Sequence, residues 1–200
     1  ENGRELSPGE QGIIWVRGPQ VMAGYYRNRD ATEAVLDRDG WLNTGDLGML
    51  TRRGELKITG RAKDTIVLIG GENVEPAPIE QKLQESEYIE RAVVVGQDHK
   101  YLGALLVPAV DALEQYAEEN HIPYMEQEDL VESDSIRELL ENEIHSRVNS
   151  RNGFKSFEQI YRFALVTESF QVGKELSAKQ EIKRHVITEE YAKTISKLFG

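Results

Sequence analysis

Short blocks of hydrophobic residues, separated by glycine, proline and polar turns, recur along the chain and predict its secondary structure. Apolar runs of about four to eight residues between such turns are typical of β-strands. The predicted strands are at residues 12–17, 55–58, 65–69, 92–95, 104–107 and 160–166. Strands and helices alternate without strict βαβ regularity, so we expect residues 61–200 to form a small α+β domain after a β-rich first part.

Apolar residues three or four positions apart predict the helices. They are at residues 30–36, from Pro78 onward, and at 111–120, 136–148 and 187–198. Three N-caps are predicted at Asp30, Asp111 and Ser135, because such side chains accept a hydrogen bond from the free N–H groups of a first helical turn. Glu114 and Glu138, three residues after two of these caps, complete capping-box patterns.

The composition narrows the classes of function. The 200 residues carry 35 acidic and 24 basic side chains, a formal net charge of -11, which disfavours binding to nucleic acid or an anionic membrane through bulk electrostatics. The chain has no cysteine, which excludes disulfides, thiolate zinc sites and a cysteine nucleophile. Its four histidines lack metal-ligand spacing, and no apolar run is long enough to predict a transmembrane helix. A few placed groups can still bind a nucleotide.

Three segments carry recognisable motifs, and they occur at residues 40–48, 54–76 and 173–184. In this order they resemble successive motifs of the adenylate-forming superfamily, which includes acyl-CoA synthetases, luciferases and peptide-synthetase adenylation domains. Each short string is weak alone, but the ordered set is specific and spans nearly the whole chain. The helix-rich stretch around 111–150, followed by residues 154–158, is most similar to the long-chain fatty acid–CoA ligases.

The resemblance implies an architecture and a reaction. Residues 1–60 would end a large N-terminal domain with a β-rich subdomain, and residues 61–200 would be the small mobile C-terminal domain. The whole enzyme would convert a fatty acid and ATP into an acyl-adenylate and pyrophosphate, after which the thiol of CoA displaces AMP. Mg²⁺ is implied by the ATP chemistry, although no metal ligand is evident in this sequence. The chain by itself is expected to be an inactive part of that enzyme.

The resemblance also implies a nucleotide site and a hinge. Asp46 follows Thr44 and Gly45 in a tight turn, where an aspartate most often bonds its own backbone. The family motif instead assigns its carboxylate to the ribose hydroxyls, and Arg61 to ribose or phosphate oxygens rather than to a surface ion pair. Lys63 corresponds to the hinge position, a role that belongs to the backbone more than to the side chain.

A second implied site is the CoA tunnel. Gly70, Gly71, Glu72 and Asn73 follow a predicted strand, and the paired glycines permit close approach of the backbone to a ligand. In the family, this loop reaches the active site in the thioester-forming state and lines the pantetheine tunnel. A plain β-turn is the alternative.

The third motif departs from the family pattern. The resemblance places Glu181 where the family carries the lysine that bonds the reacting carboxylate and the α-phosphate. A carboxylate would repel phosphate oxygens, so it cannot replace that lysine. Lys179 and Lys183 lie two residues to either side, and all three side chains would share a face if the segment were extended. Three alternatives stay open: Lys179 substitutes, Lys183 substitutes, or the lysine is absent and adenylation is slow or lost.

The resemblance leaves several functions open for the whole protein. ATP, CoA and a fatty acid are its expected ligands, and the N-terminal domain its expected partner, in the cytoplasm; peripheral membrane association through that domain stays open. An adenylase for other acyl or aryl acids, transferring to CoA or a carrier protein, is the second reading. A non-catalytic adenylate-binding module is the third. Because a partial β-subdomain leaves open edges, we also expect disorder or exposed apolar surface at residues 12–60.

Overall fold

The computed structural model describes residues 4–200 of the chain. Its contacts divide the chain into two compact units, with the boundary between Thr65 and Ile66. The domain boundary predicted after residue 60 lies slightly earlier. The first unit is mainly a small antiparallel sheet, and the second is a mixed α+β unit.

The first unit contains three strands in the order β1-β2-β3, all antiparallel. Its elements are β1 (Gly12–Val16), α1 (Arg29–Val35), β2 (Leu42–Leu50), β3 (Leu56–Arg61) and a single 3₁₀ turn (Ala62–Asp64). The strand predicted at 12–17 and the one predicted at 55–58 are both present. The cap predicted for α1 is wrong: Asn28, not Asp30, accepts the hydrogen bond from the N–H of Ala31, at 3.0 Å.

Large apolar side chains are exposed in the first unit, as the sequence predicts. Ile58 is 64% exposed and Leu56 is 54% exposed on β3, and Tyr26 is 86% exposed in the loop before α1. Among residues 4–65 no large apolar side chain is buried. This sheet therefore gains little from the burial of apolar surface within its own unit.

The second unit is built on a three-stranded sheet in the order β6-β7-β8. Strands β6 and β7 are antiparallel, whereas β7 and β8 are parallel and are joined by a long helical crossover. Its elements are β4 (Ile66–Val67), β5 (Asn73–Val74), α2 (Pro76–Leu83), β6 (Ile89–Val95), β7 (Leu102–Pro108), α3 (Val110–Glu119), α4 (Gln127–Glu132), α5 (Asp134–Arg147), two 3₁₀ turns (Ser150–Asn152 and Ser156–Glu158), β8 (Ile160–Leu165), α6 (Arg184–Glu190) and α7 (Ala192–Phe199).

Both faces of this sheet are covered, which explains its continuous apolar strands. Successive side chains of a strand point to opposite faces. Ala92 and Val94 of β6 therefore belong to one core cluster, together with residues of α2, α3, α4 and α5. Val93 and Val95 belong to a second cluster that includes Leu105 of β7 and residues from β8 to the end of the chain.

Helix positions are confirmed in the second unit, but several ends differ from prediction. In α5, Ile136, Leu140 and Ile144 are buried, as their spacing predicts. The cap of α5 is Ser133, whose hydroxyl accepts from the N–H of Ile136 at 3.3 Å, so the prediction of Ser135 is wrong.

Two other helix starts and one strand length also differ. The N-cap of α3 is Ala109 without a side-chain bond, so the prediction of Asp111 as the cap is wrong. Helix α2 begins at Pro76, two residues before Pro78, since proline is tolerated in a first turn. Strand β4 is shorter than the predicted 65–69, because the N–H of Gly71 bonds the carbonyl of Leu68 and closes a turn there.

The last predicted helix is two helices. The chain breaks between α6 and α7 at Tyr191. Ile187 and Leu198 are nevertheless both buried in the second core cluster, because the two helices together cover that face of the sheet. Within residues 4–200, no helix combines the length and the apolar character needed to cross a membrane.

Candidate functional site

Asp46 and Arg61 lie directly opposite each other on the antiparallel strands β2 and β3. The Nε of Arg61 is 3.0 Å from the Oδ1 of Asp46. The side chain of Arg61 is 47% exposed and that of Asp46 is 33% exposed, so the ion pair that was the alternative for Arg61 is present in the structure. The register of the sheet thus joins the two residues that the family motifs assign to a nucleotide, although they are far apart in sequence.

The tight turn predicted before Asp46 is absent, because residues 42–50 form the continuous strand β2. Other side chains hold the backbone of β2 just before Asp46. Asn43 accepts from the N–H of Gly45 at 2.9 Å, and the hydroxyl of Thr44 accepts from the N–H of Asp46 at 3.1 Å. The same hydroxyl donates to the carbonyl of Ile14 on β1, at 2.9 Å. Gly45 has a φ of +71°, in the left-handed region that favours glycine. The N–H groups of Gly45 and Asp46 are therefore bonded by Asn43 and Thr44, and the Asp46 carboxylate pairs with Arg61 instead of with its own backbone, which was the alternative to a binding role.

A carboxylate beside a guanidinium suits a ribose or a phosphate. The carboxylate accepts hydrogen bonds from hydroxyl groups, and the guanidinium donates several from a fixed plane. Their ion pair would hold both groups in place before a ligand arrives. In this geometry Asp46 and Arg61 form one acceptor–donor unit on the surface of a sheet.

Lys63 and most of the predicted loop lie in irregular segments of the chain. Lys63 is exposed in the 3₁₀ turn Ala62–Asp64, next to the boundary of the two units. Gly70, Gly71 and Glu72 lie in the predicted loop, whereas Asn73 is the first residue of β5. Residues 68–72 connect β4 to β5 as a tight hairpin, in which the N–H of Leu68 bonds the carbonyl of Glu72 at 3.0 Å. Gly71 has a φ of +87°, so a residue with a side chain would be strained there.

The segment that contains Glu181 folds back on itself. The N–H of Ser177 bonds the carbonyl of Glu181, and the N–H of Lys183 bonds the carbonyl of Glu175, each at 2.8 Å. Between them Gln180 has a φ of +62°. The expectation that Lys179, Glu181 and Lys183 share one face depended on an extended segment. A turn at residues 177–181 removes that condition.

Three lysines lie in the loop of residues 171–183, and their ammonium groups have different partners. The ammonium of Lys174 forms ion pairs with Glu175, at 2.7 Å, and with Glu190. The ammonium of Lys183 donates to the carbonyl of Gly173 at 2.9 Å. Lys179 is exposed in the turn, and the structure gives its ammonium no partner among residues 4–200. It is the lysine of this loop that can reach a ligand without breaking a contact.

The loop has a buried carboxylate at its base. Glu175 is only 3% exposed, and its carboxylate accepts from the N–H of Gln171 at 2.9 Å. Burial alone would raise the pKa of Glu175, but the hydrogen bonds from Lys174 and from backbone N–H groups outweigh it and lower the pKa from 4.5 to about 2. The pKa of Lys174 is raised by its hydrogen bond to Glu175 and then by that to Glu190. These groups stay charged at neutral pH and fix the base of the loop.

The described residues offer no built site for Mg²⁺. Among residues 4–200, there is no group of three or more His, Cys, Asp or Glu side chains that could hold a metal ion. The side chains of residues 4–200 therefore do not provide a site that fits the Mg²⁺ implied by the ATP chemistry.

One buried ion pair was not predicted from the sequence. Glu80 of α2 is 4% exposed and pairs with Arg184 at the start of α6. The available signal was the position of this carboxylate, four residues after Pro76 and three before Leu83, which places it on the buried face of α2. Such a residue is almost never buried unless it is paired.

Comparison with known proteins identifies the family. Residues 63–200 match the AMP-binding enzyme C-terminal domain, and the chain belongs to this family. The predicted resemblance and the α+β fold are therefore confirmed. An Arabidopsis thaliana protein named as a chloroplastic acyl-activating enzyme is 37% identical over all of this chain and 28% of its own length. A long-chain-fatty-acid–[acyl-carrier-protein] ligase of A. thaliana is 35% identical over all of this chain and 27% of its own length.

A bacterial relative and two solved structures are also similar to this chain. A long-chain-fatty-acid–CoA ligase of Mycobacterium tuberculosis is 34% identical over 99% of this chain and 33% of its own length. The adenylation domain of a Mycobacterium chelonae carboxylate reductase is 26% identical, with a TM-score of 0.82 over 97% of this chain and 28% of that one. O-succinylbenzoate CoA synthetase of Bacillus subtilis, in complex with its acyl-adenylate, is 26% identical, with a TM-score of 0.65 over 92% of this chain and 32% of that one. The chain spans a third or less of each of these proteins.

Proposed function

We propose that this chain is the C-terminal part of an ATP-dependent long-chain fatty acid–CoA ligase. The whole protein would join a fatty acid to CoA through an acyl-adenylate, with release of pyrophosphate and then AMP. The observation that carries the proposal is the pairing of Asp46 with Arg61 at 3.0 Å in a chain of this family. The names of relatives as fatty acid ligases support the choice of acid.

In this proposal Asp46 accepts hydrogen bonds from the ribose hydroxyls of ATP or AMP, and Arg61 donates to ribose or phosphate oxygens. The support is chemical: the two groups are adjacent and partly exposed, and the backbone before Asp46 is held by hydrogen bonds of Asn43 and Thr44 that do not need the Asp46 carboxylate. Hydrogen bonds to charged groups contribute about 1.5–3 kcal/mol. We therefore expect Asp46→Asn to weaken AMP binding by about tenfold or more in the full-length protein, whereas Asp30→Asn, an exposed aspartate of α1, should leave it unchanged.

Lys63 and the loop at 70–73 would serve the step that forms the thioester. Lys63 would absorb the rotation of the C-terminal domain through its backbone, which its exposed position in a single 3₁₀ turn permits. The hairpin turn at Gly70, Gly71, Glu72 and Asn73 would line the path of the CoA thiol. The left-handed backbone of Gly71 supports a role in which the chain passes close to a ligand.

Lys179 is the favoured replacement for the lysine that the family places at position 181. Its ammonium is unpaired among the described residues, whereas that of Lys183 must first leave the carbonyl of Gly173. A cation near the reacting carboxylate and the α-phosphate would offset the negative charge that develops during adenylation. Lys179 also lies in the exposed turn at residues 177–181, from which a long side chain can extend into solvent.

The test is acid-dependent pyrophosphate release by the full-length protein with ATP, Mg²⁺ and palmitate. We expect release by the wild type, a loss of about 10²-fold or more in Lys179→Ala as for removal of an electrostatic donor, and little change in the matched variant Lys183→Ala. Unchanged release in Lys179→Ala would refute the assignment of this lysine. Release with aryl acids but not with fatty acids would support an adenylase of different acid specificity.

The position of Glu181 supports a second candidate function. The side chain is exposed in the turn at the position of the family's lysine, so a protein that binds adenylate without turnover is the second candidate. In that case the wild type binds AMP but releases no pyrophosphate with any acid, and Glu181→Lys restores release. The relatives named as ligases for CoA and for acyl-carrier protein make the thiol acceptor the other open choice. Supplying each acceptor to the same assay distinguishes them.

A further inference from the structure

At Val94, two side chains bond the outer edge of β6 in the place of another strand. Strand β6 lies at the edge of the sheet. The Oε1 of Glu80 accepts from the N–H of Val94 at 2.8 Å, and the Nη1 of Arg184 donates to the carbonyl of Val94 at 3.3 Å. Glu80 and Arg184 thus provide the acceptor and the donor that a neighbouring strand would have offered.

The two side chains also bind each other. The Nη2 of Arg184 is 2.5 Å from the Oε2 of Glu80, and the side chains are 19% and 6% exposed. The two terminal nitrogens of the guanidinium therefore each have a partner, Nη2 on a carboxylate and Nη1 on the backbone. Because the guanidinium is planar and rigid, these two bonds fix its direction as well as its position, which a lysine could not do.

Arg184 is the residue that directly follows the loop of residues 171–183. It is the first residue of α6, and Lys183 before it bonds the backbone of Glu175. At the other end, Phe170 is buried in the second core cluster together with Leu176. The loop is therefore anchored at its base on both sides, and its turn at residues 177–181 carries the exposed side chains of Lys179 and Glu181.

We propose that Glu80 and Arg184 are positioning residues for this loop. By fixing the end of the loop to the edge of β6, they set where the turn presents Lys179 and Glu181. The catalytic consequence rests on the proposed function, since it assumes that the turn acts in adenylation. The positioning itself does not depend on that assumption.

Hydrogen exchange of the full-length protein tests the positioning. The variants are Arg184→Gln, Arg184→Lys and Glu80→Gln, and the matched control is Lys82→Gln, which removes the exposed ion pair with Glu85 on the same helix. We expect exchange of the peptide covering residues 173–183 to rise about tenfold in Arg184→Gln, as protection is lost locally. Exchange in β7 should stay unchanged. Lys82→Gln should match the wild type.

The conservative variants keep this test decisive if Arg184→Gln folds poorly. Arg184→Lys retains the charge but replaces the two terminal nitrogens of a planar guanidinium with a single ammonium, so its loop should exchange faster than in the wild type with the sheet still protected. An unchanged loop in Arg184→Lys and Glu80→Gln would overturn the proposal. So would equal acceleration of the loop and of β7, because that pattern means global destabilisation.

A comparison of half-reactions tests the catalytic consequence. Adenylation is followed as acid-dependent pyrophosphate exchange, and thioester formation as CoA consumption with acyl-adenylate supplied. Since misplacement of a reacting group by about 1 Å can cost up to 10²-fold, we expect Arg184→Lys to slow adenylation by about tenfold or more and thioester formation by less than about twofold. Equal losses in both would overturn a positioning role. If the wild type shows no pyrophosphate exchange, the proposed function is overturned. The hydrogen exchange of the loop would then still decide whether Glu80 and Arg184 position it.

Discussion

The two units of the chain each contain a carboxylate–guanidinium pair, and the two pairs differ in burial. Asp46 and Arg61 in the first unit are partly exposed, with one bond at 3.0 Å between them. Glu80 and Arg184 in the second unit are largely buried and also bond the backbone of Val94. The exposed pair can exchange its partner for a ligand at low cost, whereas the buried pair cannot be opened without leaving a charge in the interior.

The same contrast holds for the apolar side chains. In the second unit, the sheet is covered on both faces and every strand of it contributes to the core. In the part of the first unit that the structure describes, large apolar side chains stay at least partly exposed. The first unit therefore presents side chains on a thin sheet, and the second has the packed interior of an independent domain.

The strongest test of this contrast removes one arginine from each pair. Arg184→Ala leaves Glu80 buried without its partner and should cost about 3–5 kcal/mol of unfolding free energy. Arg61→Ala removes an exposed pair and should cost about 0–1 kcal/mol. Far-ultraviolet circular dichroism in urea follows Arg184→Ala, since every described helix except α1 lies in the second unit, and tryptophan fluorescence follows Arg61→Ala, since Trp15 and Trp41 lie in the first unit. Similar losses in the two variants would break the comparison.

A second test compares a core leucine with an exposed isoleucine. Leu105 on β7 is 0% exposed, and Leu105→Ala should cost about 2–5 kcal/mol because it leaves a cavity. Ile58 on β3 is 64% exposed, so Ile58→Ala should change stability by no more than about 0.5 kcal/mol. Tryptophan fluorescence reports on the first unit, because Trp15 and Trp41 both lie there. A large loss in Ile58→Ala would show that this side chain is buried by a partner in solution.

A third test uses acid. The folded-state pKa of Glu175 lies below its ordinary value of 4.5, at about 2, so its contribution to stability is complete above pH 4.5 and is lost as the pH falls towards 2. We expect Glu175→Gln to be less stable than the wild type at pH 7 and the difference to shrink between pH 5 and pH 3. Urea unfolding at these pH values measures it. Glu141→Gln, an exposed residue of α5, is the control and should show no such convergence.

The smallest effects concern the helix caps. Ser133→Ala should cost about 1 kcal/mol, whereas Ser135→Ala should stay within about 0.5 kcal/mol, because Ser133 accepts the N–H of Ile136. In the first unit Asn28→Ala should destabilise more than Asp30→Ala for the same reason. Thermal unfolding with the two probes above measures both pairs. A larger loss in Ser135→Ala would restore the cap that the sequence predicts.

These caps show how far local sequence reasoning reaches. The periodicity around Ile136, Leu140 and Ile144 predicts the helix and its buried face correctly. It does not choose between Ser133 and Ser135, because both are suitable cap residues and only the backbone angles at the helix start decide. The same reasoning predicts one helix at residues 187–198, whereas a break at Tyr191 leaves the apolar face intact and so leaves no trace in the pattern.

The candidate site divides in a similar way. The ordered motifs identify the family and single out Asp46 and Arg61, and the structure brings these two residues together by strand register. The nucleotide-binding roles of these two residues stay predictions. The geometry around Lys179 was not predictable, because a reversal of the chain with Gln180 in a left-handed conformation has no glycine to mark it.

The sequence by itself determined the family, the three strands of the β6-β7-β8 sheet and the apolar faces, because each of these is encoded within a few neighbouring residues. It did not predict β2, the longest strand of the chain that the structure describes. Only the tertiary structure decided which charges are buried together and how the loop before α6 turns. Glu80 and Arg184 are 104 residues apart and meet because α2 and α6 both pack near the edge of β6. Such contacts depend on the packing of the whole unit, and no local pattern specifies them.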